Sequence, residues 1–136
     1  MSAIVMSVYD FQRLSLLLRK HAHAPLEERK VLAALERKLE QAVLLPPEQI
    51  PPNVVTLRST VRVTNLTSGK RERFTLSFPG ETAQGDDRVS ILAPLGVALV
   101  GERAGSTIVY SAPQRTCRLR IEKIEYQPEA VGELYA

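Results

Sequence analysis

The chain has 136 residues and a formal net charge of +3, from 18 Lys and Arg against 15 Asp and Glu. Hydrophobic residues make up 44% and charged residues 24% of the chain, a composition that is typical of a folded globular protein and excludes general disorder. The single cysteine, Cys117, excludes a disulfide-stapled secreted scaffold, and no apolar run is long enough to cross a bilayer. We therefore expect a cytoplasmic protein without membrane contact.

Two amphipathic helices are predicted at the start of the chain. Ser7 and Asp10 have the spacing of a capping box, and the apolar residues that follow predict a helix over 7–21. Pro25 suits the first turn of a second helix over 25–44. The short connection predicts an antiparallel helical hairpin, a short coiled coil that extends only about 25–30 Å.

A proline-rich linker is predicted over residues 46–53. Helix cannot continue through Pro46-Pro47 and Pro51-Pro52, so extended or polyproline geometry is favoured for Glu48-Gln49-Ile50 between them. We expect this linker to be a stiff boundary between the helical hairpin, residues 1–45, and a second domain, residues 54–136.

The second domain is predicted as the sheet part of an α+β fold. Val61 and Val63 alternate with polar residues, and Phe74, Leu76 and Phe78 do the same after a turn, which predicts an antiparallel hairpin with one solvent-facing side. The other predicted elements are a polar loop over 80–88, a short buried helix over Pro94–Val100 closed by Gly101, and strands near 106–111 and 117–126.

Gly96, inside the predicted short helix, and Gly101, just after it, have the spacing of a phosphate-binding loop. Such a loop requires Lys and Ser or Thr next, whereas Glu102 and Arg103 follow Gly101 here. The four apolar residues after Gly96 favour a packed helix instead. The sequence therefore predicts no bound cofactor, and no catalytic residue is assigned.

Four titratable side chains fall at the predicted tip of the hairpin: His21, His23, Glu27 and Glu28. A metal site needs three or four converging ligands, and the chain has only these two histidines, so a solvated turn is favoured over a metal site. The two glutamates suit the positive end of a helix dipole. Their place at the tip leaves a functional role open.

Arginines recur on two predicted strands. Arg118 and Arg120 share one strand face, and Arg71 and Arg73 share a face of the earlier hairpin. A solvated face is the default interpretation, and a docking surface for an acidic protein or a nucleic-acid backbone is the alternative. The small net charge argues against strong sequence-independent nucleic-acid binding.

Three segments resemble known bacterial families. Val89–Ile108 is similar to the signature of the C-terminal domain of Gre transcript-cleavage factors, roughly I-S-x-x-S-P-x-x-x-A-L-x-G-x-x-x-G-D. Pro47–Leu57 and Glu125–Gly132 resemble the family named regulator of nucleoside diphosphate kinase. Together the resemblance covers residues 7–134.

The resemblance implies an FKBP-like C-terminal domain and binding to RNA polymerase near its secondary channel. Gre factors hold a catalytic Mg²⁺ with acidic residues at the tip of a much longer coiled coil, whereas the hairpin predicted here is short. We therefore expect docking in competition with Gre factors, without stimulation of transcript cleavage. Ser106 departs from the Gre pattern, which has Asp there. The docking candidates are Pro94, Gly101, Glu102, Arg103, Gly105, Ser106, Arg118 and Arg120.

Two other function classes stay open. The small excess of basic over acidic residues is compatible with a nucleic-acid-binding module that makes weak contacts. The implied fold is shared with prolyl isomerases, but their pocket is walled by aromatic residues, and this chain has three Phe, four Tyr and no Trp. We expect a protein that is not an enzyme. Its effect on nucleoside diphosphate kinase, which the family name records, can be direct or indirect.

Overall fold

A computed structural model describes residues 3–136; residues 1 and 2, the start of the predicted hairpin domain, lie outside the described part. The fold mixes helices and strands, as predicted. No helix within residues 3–136 is long and apolar enough to cross a membrane. The helices are α1 (Val8–Lys20), α2 (Leu26–Gln41) and α3 (Pro94–Leu99), and the strands are β1 (Val5–Ser7), β2 (Val43–Leu45), β3 (Thr60–Asn65), β4 (Arg71–Ser77), β5 (Arg88–Ser90), β6 (Thr107–Ala112) and β7 (Arg115–Tyr126).

The helical hairpin begins as predicted and ends earlier. Ser7 caps α1, because its hydroxyl oxygen accepts the Asp10 N–H at 2.9 Å. The predicted continuation of α2 to residue 44 is wrong: the helix ends at Gln41, and Val43–Leu45 pairs in parallel with Val5–Ser7. The Val43 N–H donates to the Ile4 carbonyl at 2.7 Å, so pairing with the start of the chain replaces the last helical turn.

The proline-rich segment is packed rather than extended. Pro47–Gln49 forms a single 3₁₀ turn, which corrects the predicted extended or polyproline geometry at Glu48 and Gln49, whereas Ile50 has extended backbone as predicted. Pro47 and Ile50 are buried. The Gln127 side-chain amide donates to the carbonyls of Pro51 and Val54, both at 2.8 Å. The segment is therefore tied to the end of the sheet.

The main sheet has five strands in the order β5-β4-β3-β7-β6. The predicted β3–β4 hairpin and the last two strands are confirmed, and both hairpins are antiparallel. The predicted polar loop over 80–88 is partly wrong, because it contains a 3₁₀ segment, Pro79–Gln84, and the first residue of β5. Strand β5 pairs in parallel with β4 and is too short to show an alternating pattern.

One hydrophobic core joins the hairpin to the sheet. Leu14, Leu35 and Leu39 of the hairpin belong to the same cluster of buried residues as Leu99 and Ile121. At a rise of 1.5 Å per residue, α1 and α2 are about 20 and 24 Å long. The short hairpin therefore lies against the body of the protein.

Both glycines of the short helix have packing roles. A Cβ at Gly96 would lie 2.1 Å from the Ser90 carbonyl oxygen. Gly101 has φ +80, and a Cβ there would lie 2.5 Å from Ile4 Cγ2. The glycine spacing thus follows from the approach of α3 to its neighbours, as the packed-helix interpretation predicted.

Candidate functional site

The loop between α3 and β6 is held by backbone hydrogen bonds on two sides. The Gly101 N–H donates to the Val55 carbonyl at 2.8 Å, and the Val55 N–H donates to the Glu102 carbonyl at 2.9 Å. Next to β7, the Gly105 N–H donates to the Ile121 carbonyl at 2.6 Å. Five predicted docking residues form this loop: Gly101, which is buried, Glu102, Arg103 and Ser106, which are partly exposed, and Gly105, which is exposed.

Lys38 of α2 fastens this loop to the hairpin. Its ammonium donates to the carbonyls of Ala98 and Val100 at 2.9 and 2.8 Å, and lies 3.0 Å from a Glu102 carboxylate oxygen. Burial lowers the pKa of Lys38, and Glu102 opposes part of that shift. The sequence analysis missed this lysine, because nothing in its spacing distinguishes it from the solvent-facing lysines of a helix.

Pro94 lies at the opposite end of α3 from this loop. It is the first residue of the helix, its side chain is exposed, and it follows the extended Ala93. The six residues of α3 separate the two candidate docking segments by about 9 Å at the helical rise. The fold therefore presents Pro94 and the 101–106 loop as neighbouring but separate contacts.

The two predicted arginine pairs lie on one face of the sheet. Strand β3 connects them, because Thr64 pairs with Arg71 on one side and with Arg120 on the other. In the next row, Arg62 lies between Arg73 and Lys123. We call the exposed set the arginine face: Arg62, Arg71, Arg73, Arg118, Arg120 and Lys123.

Two glutamates offset part of this charge. Glu125 binds Arg62 at 2.5 Å and lies 3.6 Å from Arg73. The hydrogen bond from Arg62 lowers the pKa of Glu125. Glu122 lies 3.7 Å from Arg120. Asp87 lies 3.9 Å from Arg73. Six basic residues against these three carboxylates leave the face positive. The places of Arg62 and Lys123 in this face depend on the register of β3, which the sequence alone does not give.

The predicted tip residues do not converge. His21 Nδ1 lies 3.0 Å from the Leu17 carbonyl oxygen, and His23 is exposed. Glu27 and Glu28 are exposed in the first turn of α2. Within residues 3–136 no group of three or more His, Cys, Asp or Glu side chains is placed to hold a metal ion.

The tip also lies beside the body of the protein. His21 and Glu28 line a cavity of about 340 Å³ together with Ser90, Leu92 and Ala93, which lead into α3. Ala24, in the turn between the helices, is buried. The tip therefore does not extend away from the sheet domain.

A buried polar cluster at the base of α1 was missed by the sequence analysis. Asp10 is 1% exposed, contacts Arg13 at 2.6 Å, and accepts the Leu57 N–H at 3.3 Å. Burial raises the pKa of Asp10 against the opposing effect of Arg13. The capping-box spacing correctly predicted the hydrogen bond between the Asp10 N–H and Ser7. It did not predict that the Asp10 carboxylate is buried inside the protein.

Glu129 completes this cluster from the C-terminal segment. It accepts a hydrogen bond from the Thr56 hydroxyl at 2.8 Å. Burial raises the pKa of Glu129, and the charge of Asp10 adds to that effect. Arg13 also donates to the Ala136 carbonyl at 2.7 Å, so the cluster ties the C-terminal segment to α1.

Comparison with known proteins identifies the family of this fold. The protein family described as "Transcription elongation factor, GreA/GreB, C-term" matches residues 50–126. These residues include β3 to β7, α3 and the 101–106 loop. The chain belongs to this family. It is also 34% identical over 131 residues to "Regulator of nucleoside diphosphate kinase" of Escherichia coli K12, a match that covers 96% of this chain and 94% of that protein.

Other family members match in part or in structure. GreA of Thermodesulfovibrio yellowstonii is 30% identical over 93 residues, which are 68% of this chain and 59% of that factor. A solved structure of a "prokaryotic transcription elongation factor GreA/GreB" from Nitrosomonas europaea superposes with a TM-score of 0.75 at 34% identity, covering 93% of this chain and 100% of that one. These relatives are named as regulators and elongation factors.

Proposed function

We propose that this chain is a non-enzymatic transcription regulator that binds RNA polymerase near its secondary channel. It competes there with Gre-type elongation factors and does not stimulate transcript cleavage. Family membership supports the choice of partner, since the matched residues 50–126 form the C-terminal domain of elongation factors. The FKBP-like character of this domain and the coiled-coil character of the hairpin stay predictions.

The placement of the hairpin is the observation that carries this proposal. Its helices have only 13 and 16 residues, and their buried leucines belong to the core of the sheet domain. Glu27 and Glu28 therefore stay beside the body, where they do not reach a metal ion deep in a channel. The protein occupies the position of a Gre factor without delivering carboxylates to the polymerase active site.

The docking contacts in this proposal come from two segments around α3 and from the arginine face. Pro94, Gly105, Arg118 and Arg120 are exposed, so their side chains or backbone are available to a partner. Gly101 is buried and contributes through the shape that it gives the loop. Electrostatic attraction by the arginines raises the association rate more than it raises the affinity.

The effect on nucleoside diphosphate kinase that the relative's name records is indirect in this proposal. A regulator bound to RNA polymerase changes the level of an enzyme through transcription. No direct contact with the kinase is required.

Nucleic-acid binding is the second candidate, favoured by the rows of basic residues on the arginine face. Arg62 has a basic residue on each side across the sheet, and the single carboxylate of Glu125 offsets only part of this repulsion. Binding of a DNA duplex would weaken steeply as salt is added. Absence of binding at low salt would exclude this candidate.

Displacement of a labelled Gre factor from core RNA polymerase tests the proposal. We expect the chain to co-migrate with the polymerase at micromolar concentration and to release the labelled factor. A charge-reversed variant, Arg118→Glu with Arg120→Glu, should displace less factor, whereas Arg19→Glu with Arg37→Glu, which makes the same charge change on exposed helix positions, should act as the wild type does. Failure of the wild type to co-migrate would refute the proposal.

A further inference from the structure

The two edges of the five-stranded sheet differ in length and charge. Edge strand β5 has three residues and begins with Arg88. Edge strand β6, Thr107–Ala112, has six residues and carries no charged side chain. Proteins protect edge strands by shortness, charge, proline or coverage, because an open edge is a template for pairing with another strand. Strand β6 lacks the first three of these protections.

The hydrogen-bond pattern identifies which groups of β6 are free. On β7, the Arg118 carbonyl accepts the Leu66 N–H, so the backbone groups of Arg118 face β3. The alternation of an antiparallel ladder then directs Cys117 and Leu119 toward β6, where they pair with Tyr110 and Ile108. The backbone groups of the residues between them therefore point away from the sheet: Thr107, Val109 and Ser111.

Two of these three residues, Val109 and Ser111, border a cleft that has two walls. Val109, Tyr110 and Ser111 line one side, and four residues of α2 line the other. The floor is α3, and the volume is about 440 Å³. Val109 is 56% exposed. An edge strand opposite a helix, with an apolar floor, is the arrangement that peptide-binding domains use for strand addition. The α2 and floor residues are Lys30, Val31, Ala34, Lys38, Pro94, Val97 and Ala98.

The charged side chains that line the cleft are both positive. Its lining includes two lysines and no carboxylate. Lys38 is paired with Glu102, whereas Lys30 is exposed at the rim. Arg115 and Arg118, both exposed, lie on β7 directly behind the edge. A ligand that carries acidic residues is therefore favoured.

We propose that this cleft binds an extended segment of a partner protein, which adds a strand to β6. Alternate side chains of the segment are small and apolar and contact Val31, Val97 and Ala98. At least one Asp or Glu lies near Lys30. The inference goes beyond the proposed function, since it assigns a peptide ligand to a cleft whose lining shares only Pro94 with the docking candidates named above.

A second copy of this chain fits the cleft less well than a single segment. Pairing of two β6 edges would bring the β7 strand of the other copy behind its β6. Residues of α2 line the cleft opposite β6, and its volume of about 440 Å³ suits one extended segment rather than the sheet edge of a whole second copy. An isolated extended peptide brings no second strand with it, so it fits the cleft without this crowding.

A random 12-residue peptide library, selected by phage display on the full chain, supplies the probe. We expect enriched peptides to alternate apolar residues, to contain Asp or Glu, and to protect the Val109 and Ser111 amides from hydrogen exchange. Val109→Pro removes a free donor and should weaken the selected peptide at least about tenfold. Val109→Thr, which keeps the donor, should bind as the wild type does.

A second variant keeps the test decisive if Val109→Pro disturbs folding. Lys30→Glu reverses the charge at an exposed position on the rim of the cleft, away from the hydrophobic core, so it should also weaken binding of the acidic peptide. The proposal is overturned if no peptide is enriched, or if the selected peptide binds both altered proteins like the wild type. It is also overturned if the wild type forms a dimer that Val109→Pro dissociates, because self-pairing would then occupy the edge.

Discussion

At the scale of single residues, Gly101 shows how the loop beside α3 is fixed. Its φ of +80 disfavours any other residue, and an added Cβ would also meet Ile4 Cγ2 at 2.5 Å and the Val5 carbonyl oxygen at 3.3 Å. Gly69 has a similar φ of +76, but a Cβ there would meet nothing within 4 Å. A comparison of Gly101 with Gly69 therefore separates the cost of backbone strain from the cost of steric crowding.

We predict that Gly101→Ala lowers the free energy of unfolding by about 1–3 kcal/mol more than Gly69→Ala does. Both variants carry the cost of a left-handed alanine, and only the first carries the clash with Ile4, the residue before β1. Urea unfolding of the two variants measures the difference. Equal losses would show that the approach of β1 to the loop is not tight.

Glu129 gives a prediction about pH. Burial raises its pKa above the ordinary 4.5, so the folded protein keeps this proton to higher pH than the unfolded chain does. The resulting stabilisation is complete below about pH 4.5 and is lost as the pH rises through the folded-state pKa. The charged carboxylate is the less stable form inside the protein.

We predict that Glu129→Gln gains stability relative to the wild type as the pH rises from about 4 to 7. Glutamine still offers an oxygen to the Thr56 hydroxyl, but it does not ionise beside Asp10. Urea midpoints at the two pH values measure the change. Glu40→Gln, at an exposed position of α2, is the control. A stability difference that is independent of pH would contradict the prediction.

At the scale of elements, Lys38 couples α2 to the end of α3. We predict that Lys38→Met lowers the free energy of unfolding by about 1–3 kcal/mol, because it leaves two carbonyls and Glu102 without their donor. Lys30→Met changes an exposed lysine of the same helix and should cost much less. Comparable losses in chemical denaturation would mean that Lys38 does not fasten the helices.

Local patterns predicted the long elements and missed those that depend on distant pairing. The apolar stripes of α1 and α2 and the alternation in β3 and β4 are properties of their own residues, so they could be read directly. Strand β2 was assigned to a helix because its three residues form a strand only when the start of the chain lies beside them. Strand β5 was missed because its parallel partner is 13 residues earlier.

The candidate site follows the same rule: residues that depend on a local pattern were predicted, and those that depend on contacts between elements were not. Arg118 and Arg120 follow from strand alternation, whereas the central place of Arg62 depends on the register between three strands. Asp10 was interpreted as a helix cap, and only the packing of the C-terminal segment shows why its carboxylate is buried. Contacts between charged residues of different elements cannot be predicted from the sequence pattern of a single element.

At the scale of the whole molecule, the hairpin and the sheet form one body. Leu14 and Leu35 are fully buried in the core that contains the sheet, and the tip lies beside the residues that lead into α3. A hairpin that is packed against the sheet in this way cannot extend into a channel as a long, free coiled coil would. We propose on this basis that the protein binds where Gre factors bind and lacks their activity.

Transcript cleavage in stalled RNA polymerase elongation complexes tests this claim most directly. We predict that the chain alone leaves cleavage at the rate of the polymerase by itself, and that added chain reduces Gre-stimulated cleavage in proportion to its occupancy. A variant with Glu27→Gln and Glu28→Gln should inhibit equally well. The account would be contradicted if the chain accelerated cleavage and this variant lost that effect, or if saturating chain left Gre-stimulated cleavage unchanged.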